Sequence, residues 1–404
     1  MADKALAGLR VLEWANFISG PYCTKVMADL GAEVIKIEQP GLGDKARQHG
    51  PFLNDIPHPE RSGLFLFLNA NKLGITLNLK TVTGRKIFNQ LLGQADIFVE
   101  NYPPRMVEDL EFDYTHLREI NKGIILTSIT PFGHTGPYKD YKAYEINCGA
   151  AGGISRGIGY PNREPLTMPM SQGAYQAGIS AAVGTLCALF ARKVIGEGQH
   201  VDVSEVEAWT NLNTGAHLLT YIYRGVTGTR RGRHGSFFYY PHSILPCKNG
   251  QVFLIAPQIE QWTRFVDLMG TPEWSMNPRY RNRRAMGGEY PDEVDNLIIP
   301  WLKEHTKEEL FSLCRKNRIP LAPLLTVDEL IKDPHLKARE FFIELDHQET
   351  GMLKYPGAPF KLSKTPWAIE HSAPLLGEHN EEIFVKRLGY SKDDLVRLKG
   401  QGII

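Results

Sequence analysis

The chain has 404 residues, of which 42% are hydrophobic and 23% charged, as in an ordinary globular protein, and its length predicts two domains. Its 46 Lys and Arg residues balance 45 Asp and Glu residues to a net charge of +1. This balance argues against nucleic acid or an acidic membrane surface as a partner. Five scattered cysteines without a C-x-x-C pair and an N-terminus without a long apolar run predict a cytoplasmic protein with no structural metal.

The first part of the chain alternates apolar strands with helices. Strands are predicted at residues 10–14, 33–38, 74–79, 96–100, 123–130 and 201–203, with helices near residues 21–30 and 84–94. This alternation predicts a large, doubly wound, Rossmann-like α/β domain. The first strand is not followed by G-x-G-x-x-G, so a dinucleotide-binding site is not expected.

The Gly- and Arg-rich stretch RGVTGTRRGRHG lacks helical periodicity and predicts a linker. We therefore expect a large α/β domain over residues 1–225, a linker over 226–235, a smaller α+β domain over 236–326 and a return segment over 327–404. The basic cluster at residues 230–234 has two interpretations: it binds a carboxylate or phosphate, or it is a solvated hinge.

A small-residue helix runs into a tight G-E-G-Q turn and a strand between residues 166 and 209. This stretch resembles the family III CoA-transferases, the formyl-CoA and carnitine CoA-transferase family, whose members share A-L-x-x-R followed by G-x-G-Q-x-V-x-V. The matching residues are Gly178, Ala188, Leu189, Arg192, Gly196, Gly198, Gln199, Val201 and Val203. Further motifs, such as S-G-P-Y-C-T and V-E-N-Y, extend the resemblance over nearly the entire chain.

The resemblance implies an interlocked dimer that moves CoA from an acyl-CoA to a carboxylic acid without a tightly bound cofactor. It also implies which residues contact CoA. Asn101 and Lys142 match an amide and a lysine that bind CoA in the family, and Arg105 lies near the position of a phosphate-binding arginine. The complete implied set is Phe17, Ile18, Gln39, Leu77, Asn101, Arg105 and Lys142.

Ala174 stands where the family has its aspartate nucleophile, four residues before Gly178. In the family this aspartate attacks the thioester and forms a mixed anhydride, a step that an alanine methyl group cannot perform. No catalytic residue is therefore assigned to this chain. The active-site candidates that neighbour position 174 are Ser171, Tyr144 and Glu145. An acyl-CoA racemase is disfavoured because Tyr144 replaces the histidine base of those relatives.

Three interpretations of Ala174 remain open at the level of sequence. The chain is the nucleophile-lacking subunit of a heteromer, similar to the benzylsuccinate CoA-transferase of toluene degradation, whose homologous partner supplies the aspartate. Alternatively it is an engineered Asp→Ala variant of an active homodimer, or a non-catalytic CoA-ester-binding protein. The acyl donor and acceptor are not fixed by these residues; succinyl-CoA and benzylsuccinate enter only by analogy.

Overall fold

The computed structural model describes residues 4–212, 217–228, 230–235 and 239–404. The chain forms two compact units: Met1–Ile154, Thr167–Leu219 and His335–Ile404 make the first, and Ser155–Leu166 with Thr220–Pro334 make the second. These bounds differ from the predicted ones in four places. Residues 155–166, residues 220–225 and the predicted linker all belong to the second unit, and the return to the first unit begins at His335 rather than at residue 327. Residues 236–238, where the small domain is predicted to begin, lie outside the described residues.

The described strands fall into a six-stranded sheet, a three-stranded sheet and a two-stranded sheet. In chain order they are β1 (Arg10–Trp14), β2 (Glu33–Glu38), β3 (Lys72–Thr76), β4 (Ile97–Glu100), β5 (Ile125–Thr130), β6 (His200–Ser204), β7 (His242–Cys247), β8 (Gly250–Ile255), β9 (Leu321–Pro323), β10 (Phe342–His347) and β11 (Gly351–Pro356).

The described α-helices range from single turns to one long helix of 24 residues. They are α1 (Ser19–Asp29), α2 (Gly63–Asn69), α3 (Val82–Leu92), α4 (Pro104–Asp109), α5 (Tyr114–Ile120), α6 (Glu145–Ala151), α7 (Gln172–Ile195), α8 (Glu205–Leu212), α9 (Leu219–Arg224), α10 (Ile259–Leu268), α11 (Arg283–Gly288), α12 (Pro291–Lys303), α13 (Lys307–Lys316), α14 (Val327–Lys332), α15 (Pro334–Ala338) and α16 (Lys392–Gly400).

The six-stranded sheet is parallel, with the order β3-β2-β1-β4-β5-β6 of a Rossmann fold. Neighbouring residues of β1 point to opposite faces: Val11 packs into the core beneath α1 and α7, and Leu12 into the core beneath α3 and α16. Because both faces are covered, β1, β2 and β5 are buried almost throughout, and even charged residues within them, such as Glu13 and Lys36, are buried. The predicted doubly wound α/β fold is confirmed.

Strand β3 begins at Lys72, although the prediction placed a strand at residues 74–79. Lys72 is 2% exposed, and its charge is compensated by Glu13, whose Oε2 lies 2.7 Å from Lys72 Nζ. A buried lysine inside a strand looks like a loop residue in a one-dimensional pattern, so the prediction missed the start of the strand. At the other end of the chain, Glu381–Arg387 form a π-helix.

The long helix α7 packs along α1 and the adjacent strands β5 and β6. Among the described residues it is the one helix long and apolar enough to cross a membrane by length and composition. Its small residues lie in the core shared with β1 and β4, among them Ala177, Ala181, Ala182 and Ala188. Gly178 lets the two helices approach closely, because a Cβ there would lie 2.6 Å from the carbonyl oxygen of Ser19.

The second unit has its own core around the antiparallel sheet β7-β8-β9 and helices α10 to α13. Tyr240 is buried there, and its hydroxyl group donates a hydrogen bond of 2.6 Å to Asp295. Strands and helices are thus combined as an α+β arrangement within this unit.

Candidate functional site

A cavity of about 350 Å³ opens at the carboxyl edge of the parallel sheet. Its walls come from the segments that follow β1, β2, β3 and β4, the place where Rossmann-type sheets bind ligands. Of the predicted residues, Gln39 and Leu77 line it. The polar side chains that line it and that the sequence analysis missed include Asn16, Asp44, Lys45, Asn78, Lys80 and Tyr102.

The missed lysines place positive charge in a lining that also contains the carboxylates of Glu38 and Asp44. Lys45 follows Asp44 in the G-D-K-A-R segment, and Lys80 follows Asn78 and Leu79 after β3. Both lysines line the cavity, so two ammonium groups are available to a negatively charged ligand. Lys80 directly follows the predicted strand 74–79, which is a recognisable signal at the carboxyl end of a parallel strand, whereas Lys45 lies seven residues beyond the end of β2 and has no such local signal.

Asn101 lies at the end of β4 and holds the neighbouring loop. Its Oδ1 accepts a hydrogen bond of 2.8 Å from the backbone N–H of Asn16, and its Nδ2 donates to the carbonyl oxygen of Asn16 at 2.8 Å and to Ser19 Oγ at 3.1 Å. The Asn16 side chain in turn hydrogen-bonds the Tyr102 hydroxyl. The amide of Asn101 therefore fixes the wall of the cavity through Asn16.

The two predicted cations Arg105 and Lys142 have different places. Arg105 is exposed on α4, directly before Met106, which lines the cavity. Lys142 is exposed on the segment that precedes α6. It is not among the residues that line the cavity, so the structure does not bring it together with Gln39 and Leu77.

Phe17 and Ile18 connect the cavity wall to position 174. Ile18 is 3% exposed and packs with Leu68 and Ala174 in one buried cluster, against which Phe17 also packs. The methyl group of Ala174 thus lies among apolar side chains from the loop after β1 and from α2. The structure brings together three positions that the resemblance had assigned separately to CoA binding and to catalysis.

Glu145 caps the amino end of α7 beside Ala174. Its Oε1 accepts a hydrogen bond of 2.7 Å from the N–H of Gly173, and its Oε2 accepts one of 3.2 Å from the N–H of Ala174. The first N–H groups of a helix have no partner inside the helix and carry a partial positive charge, so a carboxylate there is favourable. The capping group comes from a different helix, which no local sequence pattern reveals.

A second carboxyl group, Glu205, lies against Glu145. Burial raises the pKa of Glu205 to about 8, and the negative charge of Glu145 adds to the increase. Glu205 is therefore protonated at neutral pH. Its neighbour Cys148 is buried, and burial together with the Glu205 charge raises the pKa of this thiol.

Gly173 is required by the close approach of Trp209. A Cβ at position 173 would lie 2.0 Å from Trp209 Nε1, and Trp209 is 1% exposed. The indole and Glu145 Oε1 thus both lie close to Gly173 and leave no room for a side chain there. Of the other predicted neighbours, Tyr144 is 81% exposed, and Ser171 precedes α7 in a left-handed conformation with φ 49°.

The basic cluster of the second unit is engaged internally. Arg230 donates hydrogen bonds to the carbonyl oxygens of Tyr160 and Arg163. Arg233 Nη2 lies 2.7 Å from Asp292 and 2.8 Å from Asp295, two carboxylates that also approach His234. Among the described residues His234, Asp292 and Asp295 are grouped closely enough to hold a metal ion, but the Arg233 guanidinium already neutralises the carboxylates.

The model of CoA-transferase family III matches residues 6–380. The chain is also 33% identical over 404 residues to a succinyl-CoA–D-citramalate CoA-transferase of Chloroflexus aurantiacus, covering 99% of this chain and 98% of that protein. The chain belongs to CoA-transferase family III. A formyl-CoA:oxalate CoA-transferase of Streptomyces coelicolor is 33% identical over 428 residues, with both chains fully covered. A CAIB/BAIF family protein from Brucella suis shares the fold at 27% identity, with a TM-score of 0.85 over 95% of this chain and 99% of that one.

Family membership makes the chain a CoA-transferase, an enzyme that acts on acyl-CoA thioesters and acids without a tightly bound cofactor. The resemblance seen in the motifs around Gly178 and Gly198 is therefore confirmed. Gly198 illustrates why the motif is restrictive: a Cβ there would lie 1.8 Å from the carbonyl oxygen of Ile124.

Proposed function

We propose that this chain is the nucleophile-lacking subunit of a heteromeric CoA-transferase. It moves CoA from an acyl-CoA donor such as succinyl-CoA to a carboxylic acid such as benzylsuccinate, and a homologous partner subunit supplies the aspartate. The observation that carries the proposal is Ala174, whose methyl group lies in an apolar cluster with Ile18 and Leu68 at the family's nucleophile position.

Glu145 is the nearest carboxylate to that position, and its geometry disfavours it as a replacement nucleophile. Both of its oxygens already accept hydrogen bonds from backbone N–H groups of α7, and its Glu205 neighbour is a second carboxyl group. Hydrogen bonds to the charged form stabilise it and lower its reactivity. The carboxylate thus serves as a cap for α7.

Binding of the CoA ester is assigned to the cavity at the sheet edge. Lys45 and Lys80 suit the phosphates, and Gln39 and Leu77 provide a polar and an apolar contact. Arg105 on α4 extends the positive charge beside Met106. Under this proposal Phe17 and Ile18 lie between the bound ester and position 174.

A partner is supported by the surface of α7. Val183, Phe190 and Val194 lie on one side of this helix and are 56%, 71% and 82% exposed. A contiguous apolar stripe of this kind marks an interaction surface in a globular protein. A homologous subunit, packed in the interlocked manner of the family, covers this apolar stripe.

The cytoplasmic location of the protein stays a prediction.

Activity of the separated and combined chains tests the proposal. The purified chain alone should transfer CoA from succinyl-CoA to benzylsuccinate at no measurable rate, and addition of the co-expressed homologous subunit should restore transfer. Native mass spectrometry of the purified complex should give the sum of two different chain masses. The acyl-enzyme intermediate, trapped with hydroxylamine, should map to the partner chain.

Three results would reject the proposal. Efficient transfer by the chain alone, abolished by Glu145→Gln, would make Glu145 the nucleophile. A complex of identical chains that becomes active on Ala174→Asp would favour an engineered variant of a homodimer. Tight CoA-ester binding without transfer in any combination would instead favour a binding protein.

A further inference from the structure

Asp44 is buried at the junction of the two loops that form one wall of the cavity. It is 1% exposed and follows β2 in the segment G-D-K-A-R. Its Oδ1 accepts hydrogen bonds of 2.8 Å from the N–H of Phe17 and 2.7 Å from the N–H of Ala46. Its Oδ2 lies 2.7 Å from Lys36 Nζ. One carboxylate thus joins the loop after β1, the loop after β2 and the sheet itself.

The backbone that Asp44 holds is strained. Phe17 has φ 67°, a left-handed conformation that is a genuine outlier for a bulky side chain. Such residues persist only where their surroundings over-determine them, and they cluster at functional sites. Besides the bond to Asp44, the ring of Phe17 packs edge-on against His49 at a centroid distance of 4.8 Å.

A buried charge network keeps Asp44 in place. Lys36 is fully buried and also contacts Glu13 Oε1 at 2.6 Å and the carbonyl oxygen of Ala15 at 3.1 Å. Burial alone would lower the pKa of Lys36, but the charges of Asp44 and Glu13 outweigh burial and raise it. Lys36 therefore neutralises Asp44, whose negative charge would otherwise repel an anionic ligand in the cavity.

The residues next to Asp44 connect it to the cavity in which we place the ligand. The N–H of Lys45 donates a hydrogen bond of 3.2 Å to Asn16 Oδ1, and both residues line the cavity. On the other side, Phe17 leads to Ile18 and the cluster around Ala174. The cavity wall and position 174 are thus both tied to the same carboxylate.

We propose that Asp44 is a positioning residue for the CoA ester, because it fixes the left-handed turn at Phe17 that connects the cavity wall to position 174. This inference rests on the proposed function in one respect: the cavity holds the CoA ester. It adds a residue that the family resemblance did not assign.

Calorimetric titration of the full chain with CoA tests the proposal. In Asp44→Ala we expect the Kd for CoA to rise about tenfold, the effect of losing a hydrogen bond to a charged group. In Asp44→Asn the amide oxygen can still accept from both N–H groups, although the NH2 group replaces the oxygen that pairs with Lys36, so the Kd should rise less than in Asp44→Ala. The matched control is Asp29→Asn, which removes the buried ion pair with Lys25 (2.8 Å) in the same unit. This control should lower Tm and leave the Kd unchanged.

The outcomes separate the two proposals. If the unsubstituted chain binds no CoA, the cavity assignment fails. If it binds CoA and a folded Asp44→Ala binds equally well, the positioning role fails alone. Equal losses in Asp44→Asn and Asp44→Ala would also overturn it. Should Asp44→Ala not fold, Asp44→Glu carries the test: displacement of the carboxylate by one methylene should raise the Kd by about threefold or more, and an unchanged Kd would overturn the proposal.

Discussion

Glu205 is largely buried beside the carboxyl group of Glu145, and both effects raise its pKa. The raised pKa determines how Glu205 changes the stability of the fold as the pH rises. Burial and the Glu145 charge raise its pKa from 4.5 to about 8. Between these values the unfolded chain releases the proton while the folded chain retains it. The folded state then binds more protons, so its stability falls as the pH rises from about 4.5 to about 8.

We therefore expect Glu205→Gln to stabilise the protein in alkaline solution. The amide does not ionise and can still donate a hydrogen bond to Glu145. Calorimetric Tm values should be equal at pH ~5, whereas at pH ~8.5 the variant should melt at a clearly higher temperature than the unsubstituted protein. The control is Glu207→Gln, on the exposed side of the same helix, which should show no such difference. A Tm change independent of pH would contradict the assignment.

At the scale of single residues, the sequence predicted the position of Ala174 but not the residues that surround it. Position 174 follows from register with Gly178, a local spacing. The capping of α7 by Glu145 and the close approach of Trp209 to Gly173 join residues far apart in the chain. The Asn101 amide was expected to bind CoA, yet its hydrogen bonds go to Asn16 and Ser19. Such pairings depend on tertiary packing, which no motif spacing encodes.

At the scale of secondary-structure elements, the main feature of α7 is its close packing against α1. Gly178 lies where a Cβ would be 2.6 Å from the backbone carbonyl oxygen of Ser19, which cannot rotate away as a side chain would. The sequence predicted a helix from its small residues, and the structure supplies the reason for the glycine.

Gly178→Ala should accordingly separate the two helices. Overpacking of this kind typically costs about 1–3 kcal/mol of unfolding free energy, which urea denaturation measures. The movement also displaces Ser19, whose Oγ accepts a hydrogen bond from Asn101, so CoA affinity should fall with it. Gly400→Ala is the matched control, because a Cβ at that helix position meets nothing within 4 Å. Equal stability of the two variants would show that α1 accommodates the methyl group.

For the whole molecule, the parallel sheet was predictable and the division into units was predictable only in outline. Strands buried on both faces, such as β1 (RVLEW) and β2 (EVIKIE), are short segments rich in apolar residues, which is enough to place them although Glu13 and Lys36 interrupt them. The second unit recruits Ser155–Leu166, a segment with little apolar content that is held by contacts such as Arg230 with Tyr160. The local composition of a polar segment does not show which distant residues it contacts in the folded chain.

The assembly of the molecule gives the last prediction. Phe190 is 71% exposed in the apolar stripe of α7, and under the proposed function a second chain buries it. Phe190→Asp places a charge in that contact, where an unpaired buried charge is strongly unfavourable. Val396 on α16 is 72% exposed and outside the stripe, so Val396→Asp is the matched control.

Sedimentation velocity should show the two-chain species of the unsubstituted protein and of Val396→Asp, and single chains for Phe190→Asp. The dissociation constant should rise by about tenfold or more, which is 1.4 kcal/mol of association free energy. CoA binding should persist in the dissociated chain, because the cavity is built from the first unit of one chain. Assembly unaffected by Phe190→Asp would place the partner on another surface, and loss of CoA binding on dissociation would mean that the partner completes the cavity.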